Sequence, residues 1–192
     1  MKLTVKNVCH LLAIAASLSV LSCNELRRAN DSNLNEVRNK AAEESNTGKF
    51  SGEKQRDAEF VFEVIAATYG EIKLAELANQ RSRTPQVKAI AHTMQSDHTI
   101  SLNELKILAQ ARAISVPVEE TDASKRKLQN IADESGEDFD KEWCEEMMDM
   151  HDISIDKFEK RLKDTDDPEL KTFISKTLSV LKKHHESLKA CY

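Results

Sequence analysis

The stretch from residue 85 to residue 118 reads PQVKAIAHTMQSDHTISLNELKILAQARAISVPV. Its apolar residues recur at intervals of three and four, the spacing that places them on one face of an α-helix. Thr84 is suited to cap this helix, and Pro85 to occupy its first position, where the missing backbone donor costs nothing. Val116-Pro117-Val118 ends the pattern because proline cannot continue a helix. We therefore predict one amphipathic helix from Pro85 to about Ala113.

Three further stretches carry the same helical period. They run from about 55 to 80, from about 139 to 163 and from about 169 to 189. Residues 81–84 and the sequence DTDDP at 164–168 mark short turns, so the four helices form two hairpins. No stretch alternates with the period of two that is typical of a strand. The sequence therefore predicts an all-α fold class.

A connection of about 25 residues, from about 114 to 138, joins the two predicted hairpins. Within it, Thr121 to Glu134 is predicted as a short helix, because Thr121 is suited to cap it and its apolar residues share one side. An up-down-up-down bundle needs no long connection, whereas ferritin-like bundles have one long crossover between the second and third helices. We expect a ferritin-like four-helix bundle over residues 54–192.

The first residues predict export. Lys2 and Lys6 precede an apolar run that is shorter than the roughly 20 residues needed to span a membrane, as expected of a signal peptide over residues 1–22. The run ends in Val20-Leu21-Ser22-Cys23, which resembles a bacterial lipobox with Cys23 as the lipidated residue. The alternative is an ordinary cleaved signal followed by an incidental cysteine.

Residues 23–53 are polar and carry no sustained apolar period, so they predict a flexible tether. Leu34, Val37 and Ala41 have helical spacing within it. Together with a lipidated cysteine, this tether predicts a lipid-anchored protein of the bacterial envelope. The outer membrane is favoured, with the helical domain in the periplasm or at the surface, and a protein partner in the envelope stays unidentified.

Charge and cysteine content exclude several classes of protein. The net charge is −5 and the cationic residues are dispersed, so the chain lacks the basic stripe that nucleic acid requires. Phosphate-binding loops and nucleophile elbows are absent from the sequence, so nothing supports phosphoryl or acyl transfer. The question whether the protein is an enzyme stays open, with a non-enzymatic protein favoured. The crossover topology places Cys144 beside Cys191, so we predict a disulfide; two free thiols are the alternative.

One ionisable residue falls on the apolar face of each of the four long predicted helices. These residues are Glu71, His98, His151 and His184. Buried carboxylates and imidazoles need partners, so we expect them to meet, although the estimated heights along the helices place His184 farthest from the others. His185 competes with His184 for the inward position, and Asp97 and Asp149 are further candidate ligands.

Such a set suits a transition metal, iron or zinc, held by glutamate and histidine. The favoured alternative is a carboxylate–imidazole hydrogen-bond network that needs no cofactor. The Glu-x-x-His pairs of di-iron bundles are absent, since Gln95, Met148 and Leu181 stand three residues before the histidines. Met147, Met148 and Met150 are more typical of core packing than of copper or haem ligands.

Several short motifs occur together over about Asp57 to Ala190. They are Gly70-Glu71-Ile72-Lys73-Leu74-Ala75, then Val87-Lys88 leading through Met94 to Asp97-His98, then Phe139-Asp140 leading to His151, and Thr177 through His184. This combination resembles the bacterial envelope family known as domain of unknown function 4142. Ser179 and Trp143 depart from the proline and tyrosine usual in that family. The resemblance implies export, a ferritin-like four-helix core and inward histidines, and it implies no established activity.

Two functions follow from these observations. The first is an envelope-anchored lipoprotein whose non-enzymatic bundle binds a partner or protects the envelope under stress. The second is a metal-binding, iron-handling protein with a Glu/His site inside the bundle. Replacing an inward histidine separates them, because only the second function requires the imidazole as a ligand.

Overall fold

The computed structural model describes residues 31–191, which contain six α-helices and no strand. The helices are α1 (31–49), α2 (Gly52–Arg81), α3 (Pro85–Ala111), α4 (Asp122–Asp133), α5 (Gly136–Asp164) and α6 (Pro168–Leu188), followed by a 3-10 turn at Lys189–Cys191. The predicted all-α fold class is confirmed. Within the described part of the chain, no helix has both the length and the apolar character needed to cross a membrane. The predicted signal peptide and Cys23 lie outside the described residues.

The chain divides into two compact units, Met1–Arg38 and Asn39–Tyr192. Of the first unit, residues 31–38 are described, and they are helical and mostly exposed. The second unit contains the rest of α1 and all the other elements.

Part of the stretch predicted as a flexible tether is helical in the structure, because residues 31–49 form α1. Asn46 is only 3% exposed. Its side chain donates a hydrogen bond to the carbonyl oxygen of Ser115 at 2.7 Å and accepts one from the backbone N–H of Ser115 at 2.8 Å. This pairing with the connection after α3 orders the end of α1, although few of its residues are apolar.

Local sequence sets the helix starts near the predicted positions. The Asp167 carboxylate accepts hydrogen bonds from the backbone N–H groups of Glu169 and Leu170 and thereby caps α6. Thr121 caps α4 in the same way, by accepting from the N–H of Ser124. Thr84 stands at the predicted cap position of α3, but its hydroxyl donates to Asp140 at 2.5 Å instead of capping the helix.

The four long helices pack as two antiparallel hairpins. α2 packs against α3 and α5 against α6, and the hairpins meet through the pairs α3–α6 and α2–α5. Cross-helix contacts show that α3 and α6 run antiparallel. The side chain of Gln86, at the start of α3, donates to the carbonyl of Ala190 after α6, and Ser101 farther along α3 lies beside Thr177. The connection at 112–135 carries α4, which packs on α2 and α5.

Two hydrophobic clusters fill the interior between these helices. The first contains Phe60, whose ring meets that of Phe158 edge-on with centroids 5.1 Å apart. The second contains Met94 and Trp143 and lies nearer the end of α6. The Trp143 indole N–H donates to the carbonyl of Leu74 at 2.9 Å, so this large side chain is buried with its polar atom satisfied.

Candidate metal centre

A layer of four polar side chains separates the two hydrophobic clusters. Along α2 and α6 the first cluster precedes the layer and the second follows it, and along α3 and α5 the order is reversed. The layer takes one residue from each long helix, and these residues are Glu71, His98, His151 and His184, all at most 4% exposed. The structure therefore brings together the four residues that were selected from the helical spacing.

His98, His151 and His184 form the histidine cluster. One ring nitrogen from each lies within 4.8 Å of those of the other two. The ring centroids are 5.1 to 5.5 Å apart. The closest approach is 3.3 Å, between Nε2 of His151 and Nδ1 of His184. His184 was expected to stand farthest from the others, and the structure instead places it in direct contact with His151.

The outer partners of His151 and His184 determine which nitrogens face each other. Nδ1 of His151 donates to the carbonyl oxygen of Met147 at 2.8 Å, because a carbonyl can only accept. Nε2 of His184 lies 2.9 Å from a carboxylate oxygen of Asp97, so this nitrogen also carries a hydrogen. In the neutral rings, the two nitrogens that face each other at 3.3 Å therefore both present lone pairs. Only a shared proton or a cation makes that arrangement favourable.

His98 and Glu71 complete the layer with atoms that lack partners. Nδ1 of His98 lies 3.4 Å from Oε2 of Glu71. Nε2 of His98 and Oε1 of Glu71 are buried without a hydrogen-bond partner among the described residues. Buried polar atoms are almost always satisfied, and an unsatisfied one costs about 1–3 kcal/mol. These two atoms are therefore free to coordinate a further group.

Burial keeps the imidazoles neutral. It lowers the pKa of His151 to about 4, and it also holds the pKa of His98 well below its ordinary value, with the nearby His151 and His184 adding to that shift. Burial also lowers the pKa of His184, and the hydrogen bond to Asp97 opposes this effect. Since a metal binds the unprotonated imidazole, all three rings are in the binding form at neutral pH.

Burial acts on Glu71 in the opposite sense and raises its pKa to about 8. At neutral pH the carboxyl group beside the histidine cluster therefore carries a proton for most of the time. A cation in the cluster would favour the ionised form. The arrangement can hold one transition metal ion with three imidazole ligands and a carboxyl group beside them.

Other candidate ligands take different roles. Asp97 is the hydrogen-bond partner of His184, and Asp149 is exposed on α5. His185 points away from the cluster and pairs with Asp152 at 2.8 Å. The Met147 carbonyl could not be predicted as a partner of His151, because a backbone acceptor leaves no signal in residue type. Only the spacing of four residues between Met147 and His151, which places them on the same face of a helix, indicated that the two lie close together.

Cys144 and Cys191 form a disulfide, with their Cα atoms 6.3 Å apart. The bond ties the first half of α5 to the turn that follows α6. Both cysteines belong to or pack against the second hydrophobic cluster. They are therefore separate from the polar layer.

No curated protein matches this sequence. The solved structures of CopM are similar in fold. The Cu(I)-bound form has a TM-score of 0.61 at 19% identity, and the match covers 71% of this chain and 94% of that one. The Cu(II)-bound form has a TM-score of 0.60 at 20% identity, and the match covers 71% of this chain and 96% of that one. A silver-bound form has a TM-score of 0.59 at 21% identity, with 71% of this chain and 94% of that one covered. The model of the domain of unknown function DUF4142 matches residues 39–191, and the chain therefore belongs to this family.

Proposed function

We propose that this protein binds a copper ion through His98, His151 and His184. The observation that carries the proposal is the approach of two imidazole lone pairs to 3.3 Å in a buried layer, with the third imidazole close by. Imidazole is a good ligand for copper, zinc, iron and nickel, and copper(II) binds most tightly of the divalent metals in this series. The similar fold of CopM, whose structures hold Cu(I), Cu(II) and silver, supports copper in particular.

The donor set fits storage or capture of a single ion better than oxidation by a pair of ions. Paired carboxylates that bridge two metals are missing from the layer, which contributes Glu71 alone. The ligands come from three separate helices, and each outer nitrogen faces a carbonyl or carboxylate oxygen. Such outer partners orient the ligands before the metal arrives.

The test is copper binding by the metal-free protein, measured by elemental analysis after removal of excess metal. We expect stoichiometric copper in the wild type and its loss in a His98→Ala, His151→Ala double variant. His92→Ala is the matched control, because His92 lies on α3 as His98 does but is exposed. Absence of copper from the wild type after reconstitution with Cu(I) and Cu(II) would leave the layer as a structural network.

We further propose that the protein is held at an envelope membrane by lipid on Cys23 and that its four long helices form a ferritin-like bundle. The lipobox-like sequence supports the anchor. The long connection between α3 and α5 supports the bundle type. Mass spectrometry of the mature N-terminus, with Cys23→Ser as the control, tests the anchor: an unmodified residue 23 in the membrane fraction would contradict it.

A further inference from the structure

A cavity of about 180 Å³ opens between α2, α4 and α5 and reaches the polar layer. We call it the entry cavity. Its lining includes Ala67, Glu71, His98, Ser124, Met150 and Lys157. A buried centre needs a path for its ion, because the three histidines are at most 4% exposed. His98 and Glu71 are the members of the layer that line this path.

We propose that copper enters as Cu(I) through the entry cavity and is held there by Met150 and Glu71 before it reaches the histidine cluster. This inference rests on the proposed function. The transient site consists of the thioether of Met150 and the carboxyl group of Glu71, neither of which belongs to the histidine cluster.

The cavity offers one soft donor, the thioether of Met150, and one oxygen donor, the carboxyl group of Glu71. Thioether sulfur selects Cu(I) over harder cations, and Met150 lines the cavity from α5. Oε1 of Glu71, whose residue is 3% exposed, has no hydrogen-bond partner in the described part of the chain. Its other oxygen lies 3.4 Å from Nδ1 of His98, so the carboxyl group stands at the point where the cavity reaches the histidine cluster.

Paired charges leave the cavity without a barrier of positive charge. Lys157 pairs with Glu63 at 2.6 Å, and Lys127 of α4 pairs with Glu146. Both lysines line the cavity, and each carries its counter-charge beside it. A cation therefore meets little net repulsion on approach.

The short helix α4 forms one wall of the entry cavity. Ala123, Ser124 and Lys127 line the cavity from this side. α4 lies close on α2 at Gly70, where a Cβ would come within 3.1 Å of Ser124. Ile131 is the buried residue of α4, so the rest of this helix is held mainly by its surface contacts.

A second cavity, of about 260 Å³ between α3 and α6, also reaches His98. Asp97 lines it, but that carboxylate is engaged with His184. Ile100 and Val180 add apolar surface there. This cavity offers no thioether, so it serves as the internal comparison for the proposed route.

The experiment measures the rate at which the metal-free protein removes Cu(I) from a coloured chelator under anaerobic conditions. Ala67→Phe fills the entry cavity from α2, and Ala123→Phe fills it from the exposed side of α4. We expect both variants to slow uptake at least about tenfold, the factor that a 1.36 kcal/mol rise in a barrier produces. Met150→Leu should slow uptake as well, and all three should reach the wild-type copper content at equilibrium.

Val180→Phe is the matched control, because it fills the second cavity and should leave the rate unchanged. Uptake at the wild-type rate in both Ala67→Phe and Ala123→Phe would overturn the entry inference, as would slow uptake in Val180→Phe. In either case an unchanged copper content leaves the proposed function standing. Failure of the wild type to take any copper would instead overturn the proposed function and the entry inference together.

Discussion

Each histidine of the cluster has a fixed orientation because its outer nitrogen faces an oxygen. For His184 that oxygen belongs to Asp97, whose side chain is 37% exposed and therefore replaceable without opening the core. The pair keeps the hydrogen on Nε2 and leaves the lone pair of Nδ1 directed toward His151. In the proposed copper site, Asp97 would therefore act through the histidine that it orients.

We expect Asp97→Asn to weaken copper binding by about 10- to 100-fold, the usual effect of losing such an outer partner. The amide can donate to Nε2 and so move the ring hydrogen to Nδ1, where it blocks the metal. Competition titration against a chelator measures the affinity. Asp152→Asn is the control, because Asp152 pairs with His185 outside the cluster. Equal affinities in the two variants would contradict the role of Asp97.

The raised pKa of Glu71 predicts a pH effect on the metal-free protein. Burial raises this pKa from 4.5 to about 8, so between these values the folded state holds a proton that the unfolded chain releases. The resulting stabilisation is fully present below about pH 4.5 and is lost as the pH rises through about 8. Each pKa unit corresponds to about 1.4 kcal/mol, so the loss amounts to a few kcal/mol.

Glu71→Gln removes this proton exchange. We therefore expect the free energy of unfolding of the wild type, relative to that of Glu71→Gln, to fall between pH 5 and pH 8. Urea unfolding of both proteins in the presence of a chelator gives the difference. Glu76→Gln, at an exposed position of the same helix, is the matched control. A constant difference across this range would mean that Glu71 is ionised in the folded state.

Residue spacing was sufficient to select Glu71, His98 and His151, since a side chain on the apolar stripe of a bundle helix points inward. On α6 it left His184 and His185 as alternatives, and the structure shows that His184 is the inward one. The position of each of these side chains along the bundle axis was harder to predict. An error of a few residues in a helix end moves a side chain by several ångströms, at 1.5 Å per residue, which is why His184 was placed too far away. Asp97 and Asp149 had equal standing in the sequence, and the rotation of each helix decided which of them meets a histidine.

At the level of the element, the helices that carry strong local signals were predicted to within a few residues. α3 and α6 both begin at a proline that follows a residue of a capping type, and the structure begins them there, although only Asp167 makes the capping hydrogen bonds. Only the helical spacing of Leu34, Val37 and Ala41 indicated α1, because its sequence is mostly polar and its order depends on distant partners. The Asn46–Ser115 pair joins residues 69 positions apart, which no local pattern reveals.

The cap of α6 gives a prediction at this level. Asp167 accepts from two backbone N–H groups and also pairs with Arg112, whose Nη2 donates to it at 2.6 Å. We expect Asp167→Ala to lower the free energy of unfolding by about 1–2 kcal/mol, the upper part of the usual range for a lost cap. Asp166→Ala, at the exposed neighbouring position, is the control. Similar urea midpoints for the two variants would show that the cap contributes little.

For the whole molecule, the Cys144–Cys191 disulfide restricts the unfolded chain. It closes a loop across a sequence separation of 47 residues. In the chain-entropy model such a loop stabilises the folded state by about 4 kcal/mol. We expect the free energy of unfolding of a Cys144→Ser, Cys191→Ser variant to be lower by about that amount, which lowers its urea midpoint. The variant should still bind copper, because the disulfide is separate from the ligands. An unchanged urea midpoint, or lost copper, would contradict this.

The distribution of the ligands along the chain has a consequence for the molecule cut in two. His98 belongs to the hairpin of α2 and α3, whereas His151 and His184 belong to that of α5 and α6. The exposed stretch 133–138 lies between them, and the disulfide joins residues of the second hairpin only. A protease that cleaved this stretch would divide the ligands between two separate polypeptides. Copper would then bridge the fragments, and its retention would report their reassembly, as in a split-protein reporter.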